Sequence, residues 1–167
     1  MSHIIIKIII LFVVLLSSYG IYYWWHHTKV QKTSLKFAIV QQALENTNFR
    51  KVIATTTNSQ VVVMSITPGS QIGEEIHPTT DQLLFFVKGK ASGILNGEKI
   101  DIAPQDLVIV PAGTKHNIIN TGTEDLKLYT VYTPPIHKPT TIHVTKMDAE
   151  KDTQDTYVPQ EKNKLAP

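Results

Sequence analysis

Four side chains in the middle of the chain have the types and spacing of a metal site: Glu75, His77, Gln82 and His116. Glu75 and His77 are two residues apart, so both point to the same face if this segment is extended. Carboxylate, imidazole and amide oxygen are ligands that a divalent metal of intermediate hardness accepts. Two histidines and a glutamate also occur together by chance, so exposed or hydrogen-bonded strand residues are the alternative interpretation.

The neighbours of these residues are expected to lie outside the site. Glu74, Ile76 and Asp81 occupy the alternate positions of an extended chain and therefore point away from it. Lys115, next to His116, is expected to be solvated for the same reason. Asn120 is expected to satisfy backbone groups at a turn.

The residues around the site predict a β-structure. From Lys51 onward, short runs rich in Val, Ile and Thr alternate with turn residues, and Asn96-Gly97 between two such runs is a strong hairpin signal. About eight short strands with turns at intervals of roughly ten residues indicate a sandwich, a jelly roll or a small barrel. We place this domain at residues 38–147.

The spacing of the candidate ligands resembles the two sequence motifs of the cupin superfamily. The first motif is matched in spacing by Gly69, Glu75, His77, Gln82 and Gly89. The second motif is matched in spacing by Gln105, Pro111, Gly113, His116 and Asn120. The resemblance covers about residues 40–150 and extends to the small single-domain cupins called mannose-6-phosphate-isomerase-like.

This resemblance implies an all-β, double-stranded β-helix (jelly-roll) barrel of six to eight strands. It also implies one divalent metal ion (Zn²⁺, Mn²⁺, Fe²⁺ or Ni²⁺) bound by Glu75, His77, Gln82 and His116, and a homodimer as the common assembly. Three residues depart from the motifs. Glu75 replaces a histidine and Gln82 replaces a glutamate, so one carboxylate remains; Gln105 replaces a glycine in a turn that needs positive φ.

Two functions are compatible with such a site. The first is isomerase-like chemistry on a small polar or sugar-like substrate, with the metal as a Lewis acid; a dioxygenase is less compatible because few metal positions stay open. The second is a non-catalytic module that binds a small molecule or oligomerises. An isomerase needs a base beside the metal, and every inward-facing candidate is already an expected ligand, so no catalytic residue is predicted.

Residues 1–37 are expected to form a membrane anchor and linker. Residues 8–25 contain no charged side chain and end in Tyr22, Tyr23, Trp24 and Trp25, which predicts a single-pass transmembrane helix in a lipid bilayer. A cleaved signal peptide is the alternative. More lysines follow the apolar run than precede it, which favours a cytoplasmic C-terminal domain.

Composition excludes several other functions and suggests a disordered tail. Residues 38–147 hold nine basic and nine acidic residues and a single arginine, Arg50, which argues against nucleic acid as a partner. The absence of cysteine excludes disulfides and thiolate sites. Residues 148–167 are polar and are expected to be disordered. His137 and His143 precede this tail and are expected to lie at the surface; the alternatives are that they reach over the barrel mouth or pack between subunits.

Overall fold

The computed structural model describes residues 34–158 of the 167-residue chain. Within that range lie two short helices and nine strands. The helices are α1 (Ile39–Glu45) and α2 (Lys146–Lys151). The strands are β1 (Arg50–Thr55), β2 (Gln60–Ile66), β3 (Asp81–Lys88), β4 (Ala91–Leu95), β5 (Glu98–Ile102), β6 (Leu107–Val110), β7 (His116–Asn120), β8 (Leu126–Thr133) and β9 (Ile142–His143).

The strands form two antiparallel sheets. The larger sheet has the order β6-β3-β8-β2-β1-β9, and the smaller sheet has the order β5-β4-β7. Helix α1 contacts β8, β2 and β3 of the larger sheet. This architecture confirms the predicted all-β jelly roll, and β9 is a short strand beyond the expected eight.

Alternation along the strands produces the core. On β3, Gln82, Leu84 and Phe86 are buried while the residues between them are partly exposed. The same period of two buries alternate positions along β7, because successive side chains of a strand point to opposite faces. The buried apolar side chains form one continuous cluster: Phe49, Val52, Val62, Met64, Ile66, Ile72, Leu84, Phe86, Ala91, Ile102, Val108, Val110, Ile118, Leu126, Leu128 and Tyr132.

Two turns have the backbone conformations that the sequence predicts. Asn96 and Gly97 connect β4 to β5 with φ of 48° and 90°, as the hairpin requires. Gln105 takes φ of 79° in the turn before β6, and its amide donates to the carbonyl of Phe86 at 2.7 Å. The residue that replaces glycine in the second motif therefore adopts the left-handed conformation that glycine favours.

The C-terminal segment, defined here as residues 146–158, is ordered, and the predicted disorder from residue 148 is wrong for residues 148–158. Helix α2 begins with a capping box in which Thr145 and Asp148 exchange side-chain and backbone hydrogen bonds. Farther along, the Asp155 carboxylate is buried against the barrel. Polar composition predicted disorder, but these polar groups find partners in the fold. Residues 159–167 lie outside the described residues.

The predicted transmembrane helix cannot be compared with the structure. Its expected range, residues 8–25, lies outside the described residues. Within residues 34–158, the structure contains no helix with the length and apolar character needed to span a bilayer.

Candidate metal centre

A segment that precedes β3 brings Glu75 next to His116. Residues Gln71 and Glu75 each form an isolated antiparallel bridge with β7, so this segment is extended without forming a named strand. The amide of Glu75 donates to the carbonyl of His116 at 2.9 Å, and the amide of His116 donates to the carbonyl of Glu75 at 3.0 Å. The amide of Gly113 donates to the carbonyl of His77 at 2.8 Å. These backbone bonds determine where the two side chains of the segment enter the site.

The four residues predicted from the sequence meet at one end of the barrel. One ligand atom from each of Glu75, His77 and His116 lies within 4.8 Å of the others. The Oε2 atom of Glu75 is 3.4 Å from Nε2 of His77. Gln82, on the neighbouring β3, places its Oε1 atom 2.8 Å from Nε2 of His116. Glu75 and His116 are therefore neighbours in the site, although they lie 41 positions apart in the sequence.

The hydrogen bonds of His116 leave the lone pair of its Nε2 atom facing another lone pair. Nδ1 of His116 is 3.0 Å from the carbonyl oxygen of Thr114, which can only accept, so Nδ1 carries the proton. In the tautomer that carries only this proton, Nε2 offers a lone pair toward the acceptor Oε1 of Gln82, whose Nε2 donates to the Tyr132 hydroxyl at 3.0 Å. The two lone pairs repel unless a proton on Nε2, a reversed amide or a cation bound by both atoms removes the conflict.

Two further polar atoms at the site form no hydrogen bond in the structure. Oε2 of Glu75 and Nε2 of His77 are both buried, and they lie 3.4 Å apart without hydrogen-bond geometry. Buried polar atoms in native proteins are nearly always satisfied, so such atoms require an explanation. Together with Nε2 of His116 and Oε1 of Gln82, they form a cluster of nitrogen and oxygen atoms that can act as metal ligands. This donor set fits a divalent transition metal, which takes imidazole nitrogen and carboxylate or amide oxygen.

Arg50 supports the carboxylate of the cluster, although the sequence analysis did not assign it to the site. Its Nη2 atom donates to Oε1 of Glu75 at 3.2 Å, which leaves Oε2 directed to the histidines. Burial raises the pKa of Glu75, but His77, Arg50 and His116 outweigh that effect and hold the pKa below its usual value. Glu75 is therefore an anion at neutral pH. Arg50 and Val52 lie two positions apart on β1 and are both buried. An alternating strand that begins at Arg50 is the signal that could have indicated its inward position.

Tyr132 is the second residue at the site that the sequence analysis missed. It is fully buried on β8, opposite Gln60 of β2 and Gln82 of β3. Its ring lies edge-on to His77, with ring centroids 5.7 Å apart. Burial raises the pKa of Tyr132 far above its usual value, so the hydroxyl stays protonated and orients the Gln82 amide. Its alternation with Leu128 and Thr130 along β8 indicates an inward position.

His137 and His143 are buried, so the expectation that they lie at the surface is wrong. Nδ1 of His137 is 2.8 Å from Oδ2 of Asp155, and Nε2 of His143 is 3.2 Å from Oδ2 of Asp152. Both carboxylates belong to the C-terminal segment. The ring of His137 also lies edge-on to Tyr132 at 5.3 Å, and its Nε2 atom is buried without a partner. Pairing with the C-terminal segment gives both histidines a buried environment that local sequence does not indicate.

The residues expected outside the site lie where alternation places them. Glu74, Ile76 and Asp81 are exposed. Lys115 is also exposed and forms a 2.8 Å ion pair with Glu74. Asn120 is buried, and its side-chain amide donates to the carbonyls of Ile66 and Glu124. Its role as a residue that satisfies a turn is confirmed.

Comparison with known proteins agrees with this fold. The sequence profile of the cupin domain matches residues 62–132, a range that contains all four candidate ligands. The uncharacterized protein YrkC of Bacillus subtilis is 42% identical over 112 residues, which span 63% of this chain and 60% of that protein. The chain thus covers less than two thirds of this relative.

Two further relatives are covered more completely. The uncharacterized protein L612 of Acanthamoeba polyphaga mimivirus is 40% identical over 111 residues, which span 64% of this chain and 69% of that protein. The crystal structure of BH2720 from Bacillus halodurans is similar with a TM-score of 0.70 and 34% identity, over 74% of this chain and 98% of that chain. With the two motifs and the jelly roll, these similarities establish that the chain belongs to the cupin family.

Proposed function

We propose that this cupin binds one divalent metal ion through Glu75, His77, Gln82 and His116 and presents it to a small polar ligand. The observation that carries the proposal is the convergence of buried ligand atoms, above all Oε2 of Glu75 and Nε2 of His77, which lie 3.4 Å apart and form no hydrogen bond in the structure. A single carboxylate among neutral ligands leaves a bound divalent ion with a net positive charge. Zn²⁺, Mn²⁺, Fe²⁺ and Ni²⁺ all accept this donor set.

The surrounding residues support the proposed ligands in the way that outer residues support metal sites generally. The Thr114 carbonyl accepts a hydrogen bond from Nδ1 of His116 and so leaves Nε2 free to bind the metal. Arg50 orients the carboxylate of Glu75. Tyr132 orients the amide of Gln82. The ion would supply Lewis-acid polarisation of a carbonyl or hydroxyl group. The side chains of the barrel hold the ligands in place.

Isomerase-like turnover of a sugar-like substrate is the enzymatic form of this proposal, and it requires a proton acceptor near the metal. His137 is the candidate, because its Nδ1 is held by Asp155 while its Nε2 is buried without a partner. An imidazole oriented by a carboxylate is a common general base. Binding without turnover is the alternative function, and loss of sugar-like substrate over time in the presence of the metal-loaded chain would distinguish the two.

Metal content tests the proposed site directly. We expect the full-length chain, purified in mild detergent without a histidine tag and without chelator, to contain about one equivalent of a single transition metal by elemental mass spectrometry. The identity of the ion would then choose between Lewis-acid and oxygen chemistry. A chain that contains no metal and takes up none of the four ions would contradict the proposal and favour an oligomerising module. The homodimer stays a prediction.

We further propose that residues 8–25 anchor the cupin domain in a membrane as a single-pass helix, with the domain on the cytoplasmic side. The support is the uncharged apolar run and the aromatic cluster at its end. We expect the uncleaved full-length chain to stay with the membrane fraction in alkaline carbonate, and a chain that lacks residues 1–33 to be released. Release of the uncleaved full-length chain would contradict the anchor.

A further inference from the structure

The sole arginine of the chain is buried beside the candidate metal centre with part of its guanidinium unused. Arg50 is 7% exposed, and one of its nitrogens donates to Glu75. Its Nε atom is buried and has no hydrogen-bond partner. A guanidinium remains charged at every physiological pH and offers only donors, so a buried one needs negative charge and acceptor atoms around it. The Nε–H group therefore calls for an acceptor that the protein itself does not supply.

The charges around the site indicate the sign of that missing group. Arg50 and Glu75 form an ion pair at 3.2 Å, and the Asp155 carboxylate lies 2.8 Å from the ring of His137, which contacts Tyr132; these groups carry one positive and two negative charges. Burial lowers the pKa of His137, so its ring adds no charge at neutral pH. A divalent ion at the centre changes the net charge of these groups from one negative to one positive charge. Because charge is costly to bury without compensation, the metal-loaded site favours a ligand with one negative charge.

A groove connects this region to solvent. Its volume is about 290 Å³, and its lining includes Arg50 and Glu75 together with the apolar side chains of Phe49 and Ile72 and the stem of Lys146. The carboxylates at its outer part are already compensated: Glu74 pairs with Lys115 at 2.8 Å and Glu150 pairs with Lys146 at 3.5 Å. The groove has room for a small organic molecule, and Arg50, which lines it, has one donor, Nε–H, without a partner in the protein.

We propose that the ligand of this site is a small monocarboxylate, which enters through the groove and accepts a hydrogen bond from Nε of Arg50. This inference rests on the proposed metal site and deepens it, because it names the class of ligand. Carboxylate is the natural partner of a guanidinium, since charge-assisted N–H···O bonds are about twice as strong as neutral ones. A neutral molecule of the same shape can accept this hydrogen bond, but the bond is weaker and the positive charge of the metal-loaded site stays unbalanced.

The test compares acetate with acetamide, which has nearly the same shape without the charge. The zinc-loaded full-length chain in detergent is titrated with each probe by calorimetry at constant pH and ionic strength, after its zinc content has been measured. We expect acetate to bind about tenfold more tightly than acetamide, or better. Equal affinities for the two probes in a zinc-loaded chain would overturn this inference alone. A chain that takes up no zinc would overturn the metal site and the inference with it.

Substitution of Arg50 assigns the anion preference to this residue. We expect Arg50→Gln to weaken acetate binding about 30-fold in zinc-loaded protein and to weaken acetamide binding much less, because acetamide carries no charge. Lys51→Gln is the matched control, because it removes one positive charge from the adjacent, outward position of β1; we expect less than about a twofold change. Unchanged acetate affinity in zinc-loaded Arg50→Gln would overturn the assignment. The comparison of acetate with acetamide on the unsubstituted chain remains decisive if the variant fails to fold.

Discussion

Substitution of Glu75 by glutamine is expected to remove the metal from the full-length chain. Glu75 is the one carboxylate of the candidate centre, and its pKa is held below the usual value, so it supplies an anionic oxygen at neutral pH. Glutamine has nearly the same shape but no charge. We expect metal affinity to fall at least about 100-fold, more than is lost when only an outer residue of a metal site is changed. Elemental mass spectrometry of the purified variant measures the result.

The neighbouring Glu74 provides the matched control for this prediction. Glu74→Gln makes the same chemical change one residue earlier, on an exposed side chain that pairs with Lys115. We expect this variant to keep its full metal content, and both variants to have the circular dichroism of the parent. Metal content that falls equally in both variants, or in neither, would show that the ligand set is wrong. His116→Ala tests the site less cleanly, because His116 is buried and bonded to Thr114 and Gln82.

Substitution of Asp155 is expected to have the largest effect on stability outside the hydrophobic core. The Asp155 carboxylate accepts hydrogen bonds from the ring of His137, the amide of Lys138 and the hydroxyl of Thr141. An asparagine side chain at this position would keep one acceptor oxygen but lose the negative charge. Its NH₂ group would face a group that now donates a hydrogen bond to Asp155. We therefore expect Asp155→Asn to lower the free energy of unfolding by about 2 kcal/mol at pH 7, measured by urea denaturation with circular dichroism.

Asp152 is the control for Asp155, because it contacts the other buried histidine from a much more exposed position. Its contact with His143 is 3.2 Å long, and its side chain is 39% exposed. We expect Asp152→Asn to cost no more than about 1 kcal/mol. Equal costs for the two variants would contradict a special role for the buried pair.

The stability contributed by Asp155 depends on pH with a definite sign. Burial tends to raise the pKa of Asp155, but the hydrogen bonds from His137, Thr141 and Lys138 outweigh it and hold the pKa well below its ordinary value of 3.8. A carboxyl whose pKa is depressed by folding stabilises the protein above its unfolded pKa, and this contribution is lost as the pH falls toward the folded pKa. The difference in stability between the parent and Asp155→Asn is therefore expected to shrink below about pH 4.

His137 adds to the acid sensitivity in the same direction. Burial is the main cause that lowers its pKa below the ordinary value of 6.5, although Asp155 opposes it. The folded protein thus holds a neutral ring that the unfolded chain would protonate, and stability decreases as the pH falls below about 6.5. This contribution differs from that of Asp155, since it acts at higher pH.

Local sequence determined the features of this protein that depend on the alternation of side chains along an extended chain and on the residue types at turns. Alternation predicted that Glu74, Ile76 and Asp81 point away from the site and are exposed, because an extended chain turns successive side chains to opposite faces. Asn96-Gly97 predicted its hairpin through tolerance of positive φ. The spacing of Glu75, His77, Gln82 and His116, read together with the family resemblance, predicted residues that meet in space.

Only the tertiary structure decided which residues surround that cluster. Arg50 belongs to β1 and Tyr132 to β8, and no spacing in the sequence relates them to Glu75 or Gln82. The C-terminal segment looked too polar to fold, yet Asp155 is buried against His137. The composition of a segment shows how costly its polar groups are to bury. Whether hydrogen bonds offset that cost depends on partners that a distant strand or helix brings within hydrogen-bond distance. That pairing is a property of the assembled sheets, and it made His137 a buried residue beside Tyr132.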